Sequence, residues 1–172
     1  MRNINLKEFE KIIDQYQNQL IRFAFFRTGS YAEAQDIVQN VFVRLFEKQL
    51  NFQLLNNPKS FLYKIISNEC IDFGRRKKIE IVSIENIIEP LTYSSTNSNE
   101  LIEEYQRIDL MLKYLPDEQK EVVKLRVLDE LDFKEIAEIL EIPIPTVKSR
   151  FKYGIEKVRN QIKVNQEVTN EL

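Results

Sequence analysis

The sequence has 172 residues with a net charge of −2, and 43% of them are hydrophobic, so we predict a soluble, cytoplasmic protein of one or two small helical domains. No apolar run approaches the roughly 20 residues that span a bilayer, and the first residues do not form a secretory signal, which argues against membrane insertion. With no histidine and one cysteine, Cys70, the chain lacks the commonest zinc ligands and general base, so we expect no metal, no other cofactor and no enzyme activity.

Three helices are predicted in the first half of the chain. The first has apolar residues at steps of three and four, and it ends near Gly29. Ser30 and Glu33 form a capping-box pattern that opens the second helix. An asparagine followed by Pro58 starts the third helix, which ends in the basic run GRRKK at 74–78.

The helical periodicity disappears between residues 79 and 98, where the chain is polar and rich in turn formers. Such a long stretch is unusual inside one compact domain, so we predict a flexible linker between domains at 1–78 and 99–172. Charge is unevenly divided: residues 80–135 carry 14 acidic and 6 basic side chains, whereas residues 144–163 carry 6 basic and one acidic. Two basic segments, GRRKK and the last one, thus flank an acidic middle and suggest two contacts with a polyanion.

Four helices are predicted in the second half. One follows the linker, and Pro116 opens the next. Asp132 and Glu135 repeat the capping pattern, and a last helix begins at Pro145 and reaches about Lys163. With no strand pattern anywhere, the predicted fold class is all-α, with two small helical domains and a helix-turn-helix in the second.

Residues 132–151, DFKEIAEILEIPIPTVKSRF, form this candidate helix-turn-helix, in which Ile136 and Val147 would share one small core. The same pattern fits a plain helical hairpin with a solvated basic face. That alternative gains weight because the turn lacks glycine where Glu141 would need a left-handed backbone. Pro145 partly compensates by presetting the start of the second helix. The side chains turned away from this core, which can bond base edges and phosphates, are Thr146, Lys148, Ser149 and Lys152.

A second motif lies in the segment Ala32–Phe42, AEAQDIVQNVF. Asp36, Gln39 and Asn40 share one helical face with Val43, opposite the apolar face. Such a face is usually an ordinary solvated surface, although an exposed polar face with one apolar residue could also receive a partner helix.

A third motif, Pro58–Lys78, combines basic and aromatic residues. Basic groups can follow phosphates, and Phe61, Tyr63 or Phe73 could stack on unpaired bases. Alternatively, the aromatic rings belong to the core and the basic run is a solvated helix end that the helix dipole favours. Under either interpretation we expect Phe61 and Phe73 to belong to the core. The polar residues that recur at helical spacing are Lys64, Asn68, Asp72, Arg75 and Arg76.

In chain order, the motifs AQDIVQNVF, FLYKIISNECIDFGRRKK and LPDEQKEVVKLRVLDELDFKEIAEILEIPIPTVKSRF closely resemble the sigma-70 family, and the small two-domain layout resembles its extracytoplasmic-function (ECF) group. The resemblance covers about 9–78 and 102–162. It implies a sigma factor that binds the β′ clamp helices and β flap of core RNA polymerase. It also implies initiation at promoters through the −10 and −35 elements, and it allows an anti-sigma factor as a further partner.

The resemblance assigns roles to matching positions. The loop 52–60 would capture a flipped base of the −10 element. Residues implied to bind core polymerase are Asp36, Gln39, Asn40 and Val43. Residues implied to contact the −10 element are Asn56, Asn57, Lys59, Ser60, Phe61, Lys64, Asn68, Asp72, Arg75 and Arg76. Residues implied to read the −35 element are Thr146, Lys148, Ser149, Arg150 and Lys152.

Two other functions stay open on the residues alone. A free-standing helix-turn-helix regulator would bind a palindromic operator as a dimer. A sigma-like interaction module would dock on polymerase or an anti-sigma protein without reading DNA.

Overall fold

Seven α-helices and one 3₁₀ helix make up the described part of the chain, which contains no strand. The computed structural model describes residues 6–83 and 99–170, with side chains at 6–78 and 100–164. The elements are α1 (Leu6–Thr28), α2 (Tyr31–Glu47), the 3₁₀ helix (Phe52–Leu54), α3 (Pro58–Ser83), α4 (Asn99–Met111), α5 (Asp117–Val127), α6 (Phe133–Leu140) and α7 (Ile144–Asn170). The prediction of an all-α fold is confirmed.

The helices divide into two compact units, Met1–Ile102 and Glu103–Leu172. The first contains α1 to α3, and the second contains α5 to α7 with most of α4. Residues 84–98, which are most of the predicted linker, lie outside the described residues, so the domain limits given above stay a prediction. Among the described residues, no helix is long and apolar enough to cross a membrane.

The start of α2 forms only half of its predicted capping box. The Ser30 hydroxyl accepts the backbone N–H of Glu33 at 3.3 Å, as expected. The Ser30 N–H, however, donates to Thr28 Oγ1 at 3.3 Å, because this hydroxyl at the end of α1 lies within hydrogen-bond distance of it. The Glu33 carboxylate is thereby left for another contact, an ion pair with Lys77 at 3.6 Å.

The other predicted caps form as expected, whereas two helix ends lie further along than predicted. Asn57 Oδ1 accepts the Ser60 N–H at 3.0 Å at the start of α3. Asp132 and Glu135 form both bonds of a capping box, each at 2.8 Å. The helix α3 runs past residue 78 because the following sequence, IEIVS, has no glycine or proline, and α7 likewise runs past Lys163.

The core of the first unit is centred on α1, which packs against both α2 and α3. Near its start, Phe9 contacts the rings of Phe42, Phe46 and Phe52, with centroids 5.4 to 6.2 Å apart. Phe52 is therefore buried, and the predicted base-capturing loop begins with a core residue. The apolar ring belongs inside because α1 offers it an aromatic pocket.

The core of the second unit forms where α7 packs against α5 and α6. Leu112, Leu115 and Val123 are buried there, and Phe151 and Ile155 of α7 pack against them. At Gly154 the two helices approach closely, because a Cβ on this residue would lie 2.7 Å from Val123 Cγ2. Any larger residue at this position would therefore force Val123 or one of the two helices to shift.

We predict that Gly154→Ala lowers the free energy of unfolding of the second unit by about 1–3 kcal/mol, the usual cost of overpacking a core. The added methyl group has to displace Val123 or push α7 away from α5. Urea denaturation of the full chain, followed by the helical circular dichroism signal, measures the change.

The matched control is Gly74→Ala, because a Cβ on that helical glycine of α3 meets no atom within 4 Å. This substitution should stabilise the first unit by about 0.5–1 kcal/mol, since alanine loses less backbone entropy than glycine in a helix. Equal effects of the two substitutions would contradict the close approach at Gly154.

Candidate functional surfaces

The four predicted polymerase-binding residues lie together on the outer side of α2. Asp36, Gln39, Asn40 and Val43 are all exposed, and the Val43 side chain remains 54% exposed although it is apolar. Their spacing of three, one and three residues places them on one face of the helix. We call these four residues the polymerase face. The opposite side of α2 is buried in the core, which holds this face outward.

A second polar surface runs along α3. The side chains of Lys64, Asn68, Asp72, Arg75 and Arg76 are exposed, and we call these five residues the −10 face. The Arg75 guanidinium lies 3.7 Å from the Asp72 carboxylate, one turn away on the same helix. The face therefore carries three basic groups beside one acidic group, which suits a polyanion.

The aromatic residues of α3 divide between this surface and the core. Tyr63 is fully buried and packs edge-on against Phe23, with ring centroids 5.1 Å apart. The suggestion that Tyr63 could stack on an unpaired base is therefore wrong for this structure, because its ring belongs to the core. Phe61 and Phe73, which were expected in the core, are only half-buried, so each keeps part of its ring at the surface.

The segment before α3 places its predicted DNA contacts at different depths. Asn56 is exposed, while Asn57 and Lys59 are half-buried. Ser60 is only 5% exposed, and its Oγ has no hydrogen-bond partner among the described residues. A direct contact between Ser60 and DNA would require this segment to open, since the residue faces the interior.

Leu54 is a surface residue that the sequence analysis did not single out. It lies on the 3₁₀ helix and is 71% exposed, beside the buried Phe52. The signal in the sequence was a pair of leucines inside an otherwise polar segment, NFQLLNNP. Its position adds an apolar side chain to the predicted base-capturing loop.

Two ion pairs between α2 and α3 were also absent from the sequence analysis. Arg44 meets Glu69 at 2.6 Å, and Lys77 meets Glu33 at 3.6 Å. Neither pair could be inferred from spacing, because the partners lie on different helices and far apart in the sequence.

The predicted helix-turn-helix forms from α6, a tight turn and α7. Glu141 ends α6 with φ 55° and ψ 41°, in the left-handed region, and its N–H donates to the carbonyl oxygen of Ala137. The carbonyl oxygen of Pro143 then accepts the N–H groups of Thr146 and Val147, at 2.9 and 3.1 Å, and starts α7. The turn thus has the conformation that glycine usually supplies, with glutamate in its place.

The second helix presents the side chains that were predicted to face DNA. Val147 is fully buried, and Thr146 beside it is half-buried. Lys148, Ser149 and Lys152 are exposed, and the Ser149 hydroxyl donates to the Thr146 carbonyl at 3.0 Å. We call Thr146, Lys148, Ser149 and Lys152 the reading face. The helix is fixed on the core by Val147, while its charged groups remain outside.

Arg150 differs from these residues because it has a partner within the unit. Its guanidinium lies 2.6 Å from the Glu118 carboxylate of α5, and the Arg150 side chain is three-quarters buried. A phosphate contact by Arg150 would have to compete with this ion pair. The same pair ties the start of α7 to α5.

Another ion pair joins two helices of the second unit, away from the reading face. Lys124 Nζ donates to Asp109 Oδ1 at 2.6 Å and joins α5 to α4. Burial lowers the pKa of Lys124, whereas the hydrogen bond and charge of Asp109 act in the opposite direction.

Among the described side chains, no group of three or more Cys, Asp or Glu residues is arranged to hold a metal ion.

Comparison with known proteins identifies both units. Residues 12–79 match the family described as sigma-70 region 2, and residues 105–158 match sigma-70, region 4. The ECF RNA polymerase sigma factor SigW of Bacillus subtilis (strain 168) is 32% identical over 169 residues, which cover 90% of this chain and 89% of SigW. The chain belongs to the sigma-70 family, in its ECF group. As a sigma factor, it carries the α2 and α3 surfaces in region 2 and the helix-turn-helix in region 4.

Two further proteins are similar to this sigma factor over nearly its whole length. The ECF RNA polymerase sigma-E factor of Haemophilus influenzae is 28% identical over 167 residues, 91% of this chain and 88% of the relative. The solved structure of the sigma factor RpoE from Bartonella quintana, in complex with the anti-sigma factor NepR, matches with a TM-score of 0.67 and 25% identity. That match covers 92% of this chain and 98% of the RpoE chain.

We predict that Glu141→Gly raises the free energy of unfolding of region 4 by about 1 kcal/mol, because glycine adopts the left-handed backbone without the cost that other residues carry. Thermal denaturation of the full chain measures the change. The matched control is Glu138→Gly, within the same helix, which should lower stability by about 1 kcal/mol. A loss of stability in both variants would contradict the conformation described for Glu141.

The buried thiol of Cys70 gives a pH-dependent prediction for region 2. Burial raises the pKa of Cys70 from 9.0 to about 11, with the Arg27 charge opposing the shift and the Glu69 charge adding to it. Because folding favours the neutral thiol, its contribution to stability is complete below pH 9.0 and is lost as the pH rises towards 11.

At pH 8 the folded protein should react with a disulfide reagent about a hundredfold more slowly than the unfolded chain, because the thiolate is the reactive form. The control is Lys78→Cys in a Cys70→Ser background, which places a thiol at an exposed position of α3. Equal reaction rates for the folded parent and this control would contradict the burial of Cys70.

Proposed function

We propose that this sigma factor binds core RNA polymerase through the polymerase face of α2 and recognises promoters through the −10 face of α3 and the reading face of α7. The observation that carries the proposal is that the side chains of all three faces lie outside the buried cores, while the helices that bear them are packed on those cores. The polymerase face and the −10 face lie within the match to region 2, and the reading face lies within the match to region 4, which supports the proposal.

The polymerase face fits a helical partner such as the β′ clamp helices. It offers Asp36, Gln39 and Asn40 for hydrogen bonds and an exposed Val43 for apolar contact. An interface of this kind combines a small apolar centre with a polar rim. The β flap is proposed as the second polymerase contact, made by region 4.

The −10 face and the segment before α3 would hold the melted promoter strand. Arg75 and Arg76 offer charges to phosphates, and the half-buried rings of Phe61 and Phe73 can receive a base. The loop 52–60 would capture a flipped base, with Asn56 at its surface, while Asn57, Lys59 and Ser60 would need the loop to move. Melting would thus be favoured by trapping unpaired bases.

The reading face would enter the major groove at the −35 element. Lys148, Ser149 and Lys152 are free of the core and can reach base edges, and Thr146 with Arg150 would contact phosphates. Contacts with two promoter elements through one chain raise the effective concentration of the second contact after the first has formed. Affinity can therefore be high although the net charge of the chain is only −2.

The proposed role requires no chemistry by this chain, which we place in the cytoplasm beside the polymerase. The partnership of RpoE with NepR supports an anti-sigma factor as a further partner here.

A free-standing dimeric regulator would leave the polymerase face and the −10 face without a role, so it is not retained.

Transcription reconstituted with purified core polymerase on a promoter library tests the proposal. Promoter-specific transcripts are expected only when this sigma factor is added. Lys148→Ala with Ser149→Ala should reduce transcripts from the selected promoter by at least about fivefold, since one good base contact contributes that much discrimination. Core binding should be unchanged, and Lys157→Ala, another exposed lysine of α7, should have little effect.

A second pair of substitutions separates polymerase binding from DNA reading. Asp36→Ala with Gln39→Ala should weaken association with core polymerase in a pull-down, while Asp14→Ala, an exposed carboxylate on α1 outside this face, serves as control. Normal core binding by the double variant would remove the proposed polymerase face. Normal initiation by the α7 double variant would remove the proposed reading face.

A further inference from the structure

Two ion pairs join α2 and α3 at separate points along their length. Arg44 Nη2 lies 2.6 Å from Glu69 Oε1, and Lys77 Nζ lies 3.6 Å from Glu33 Oε1. The early part of α2 thus meets the late part of α3, so the two helices run in opposite directions. The side chains are a quarter to a half exposed, which leaves both pairs accessible to water.

We call the Arg44–Glu69 and Lys77–Glu33 ion pairs the two bridges. Along α2, the polymerase face lies between them. Its residues span 36 to 43, whereas the ion pairs start from Glu33 and Arg44, just outside each end. A partner that binds this face therefore contacts the stretch of α2 that lies between its two ion pairs with α3.

Along α3, most of the −10 face lies between the same two bridges. Glu69 directly follows Asn68, and Lys77 directly follows Arg76. Asp72 and Arg75 fall between them on the exposed side of the helix. The two bridges therefore fix the part of α3 that presents its arginines to the promoter strand.

The bridges matter here because the direct packing between α2 and α3 is the least extensive among the three helix pairs of region 2. The apolar contacts of α1 set the distance of each helix from the core, but they oppose rotation and sliding between α2 and α3 less strongly. Directional, charge-assisted contacts at two points do oppose such movements.

The surroundings of Glu33 and Lys77 hold their bridge in place. Glu33 Oε2 is buried and has no hydrogen-bond partner among the described residues, so its charge depends on Lys77 and on the amino terminus of α2. Lys77 also lies over the ring of Phe73, with Nζ 5.7 Å from the ring centroid. Both contacts therefore favour the positions in which the two side chains meet.

We propose that Glu33, Arg44, Glu69 and Lys77 are positioning residues that keep the −10 face in register with the polymerase face while the promoter opens. This inference rests on the proposed function. When polymerase holds α2 and the melted strand holds α3, any twist between these helices weakens the hold on the strand. The bridges oppose that twist without touching either partner.

The test is a set of charge reversals with full-length protein and core polymerase. Glu33→Lys and Lys77→Glu are compared singly and together, and Arg44→Glu and Glu69→Arg likewise. Open complexes are measured by the fluorescence of a base analogue in the −10 element, and core affinity and thermal midpoint are measured in parallel. Each single reversal should reduce open complexes by about two- to fivefold, the range that a partly exposed ion pair can supply.

Each double reversal should restore open complexes to within about twofold of the parent, because it recreates an ion pair in the opposite orientation. Core affinity should remain near that of the parent in every variant. The thermal midpoint should fall slightly only where Glu33→Lys is present, because that lysine places a positive charge at the amino terminus of α2. Glu103→Arg with Arg107→Glu reverses an exposed ion pair within α4 and should change nothing.

Three results would overturn the inference. If the double reversal of Glu33 and Lys77 forms no more open complex than Lys77→Glu alone, Lys77 acts on DNA directly. Losses of stability and core affinity in proportion to the loss of open complexes would mean a merely structural role, and single reversals equal to the parent would mean no role. If the parent protein itself forms no promoter-specific open complex, the proposed function fails as well, which distinguishes the two failures.

Discussion

The burial of one apolar stripe of α1 against both α2 and α3 is the constraint on which region 2 depends. Because α1 takes up the apolar sides of the two helices, their polar sides are directed outward. Such burial contributes most of the favourable free energy of folding in small domains. The polymerase face and the −10 face are thus the outer sides of two helices that share one core, so region 2 presents both proposed binding surfaces on a single folded unit.

Periodicity in the sequence was sufficient to predict the helices and the exposed faces. Residues at steps of three and four lie on one side of a helix whatever its neighbours are, and this is why Asp36, Gln39 and Val43 fall where expected. The Asp132 cap was predictable for the same reason, since its two bonds involve only residues three apart.

The features that were missed depend on contacts between distant parts of the chain. Tyr63 and Phe52 are buried by partners on α1, and nothing near them in the sequence indicates those partners. Glu33 fits a capping box by local rules, in which its carboxylate would accept the Ser30 N–H. In the structure Thr28 Oγ1 accepts that N–H, and the Glu33 carboxylate pairs with Lys77. An ion pair in region 4 was missed for the same reason, since Arg150, which the family resemblance assigns to the −35 element, pairs in the structure with Glu118 of α5.

The turn at Glu141 acquires a wider importance from the length of the helix that follows it. The 27 residues of α7 form one continuous helix, which at the usual rise extends about 40 Å. Its first turns carry the reading face, and its last residues lie well beyond the region 4 match that ends at residue 158. A tilt of about 10° at the turn would therefore move the far end by roughly 7 Å. A small change of backbone angle at Glu141 would therefore produce a large displacement at the far end of α7, outside the part of the chain that matches region 4.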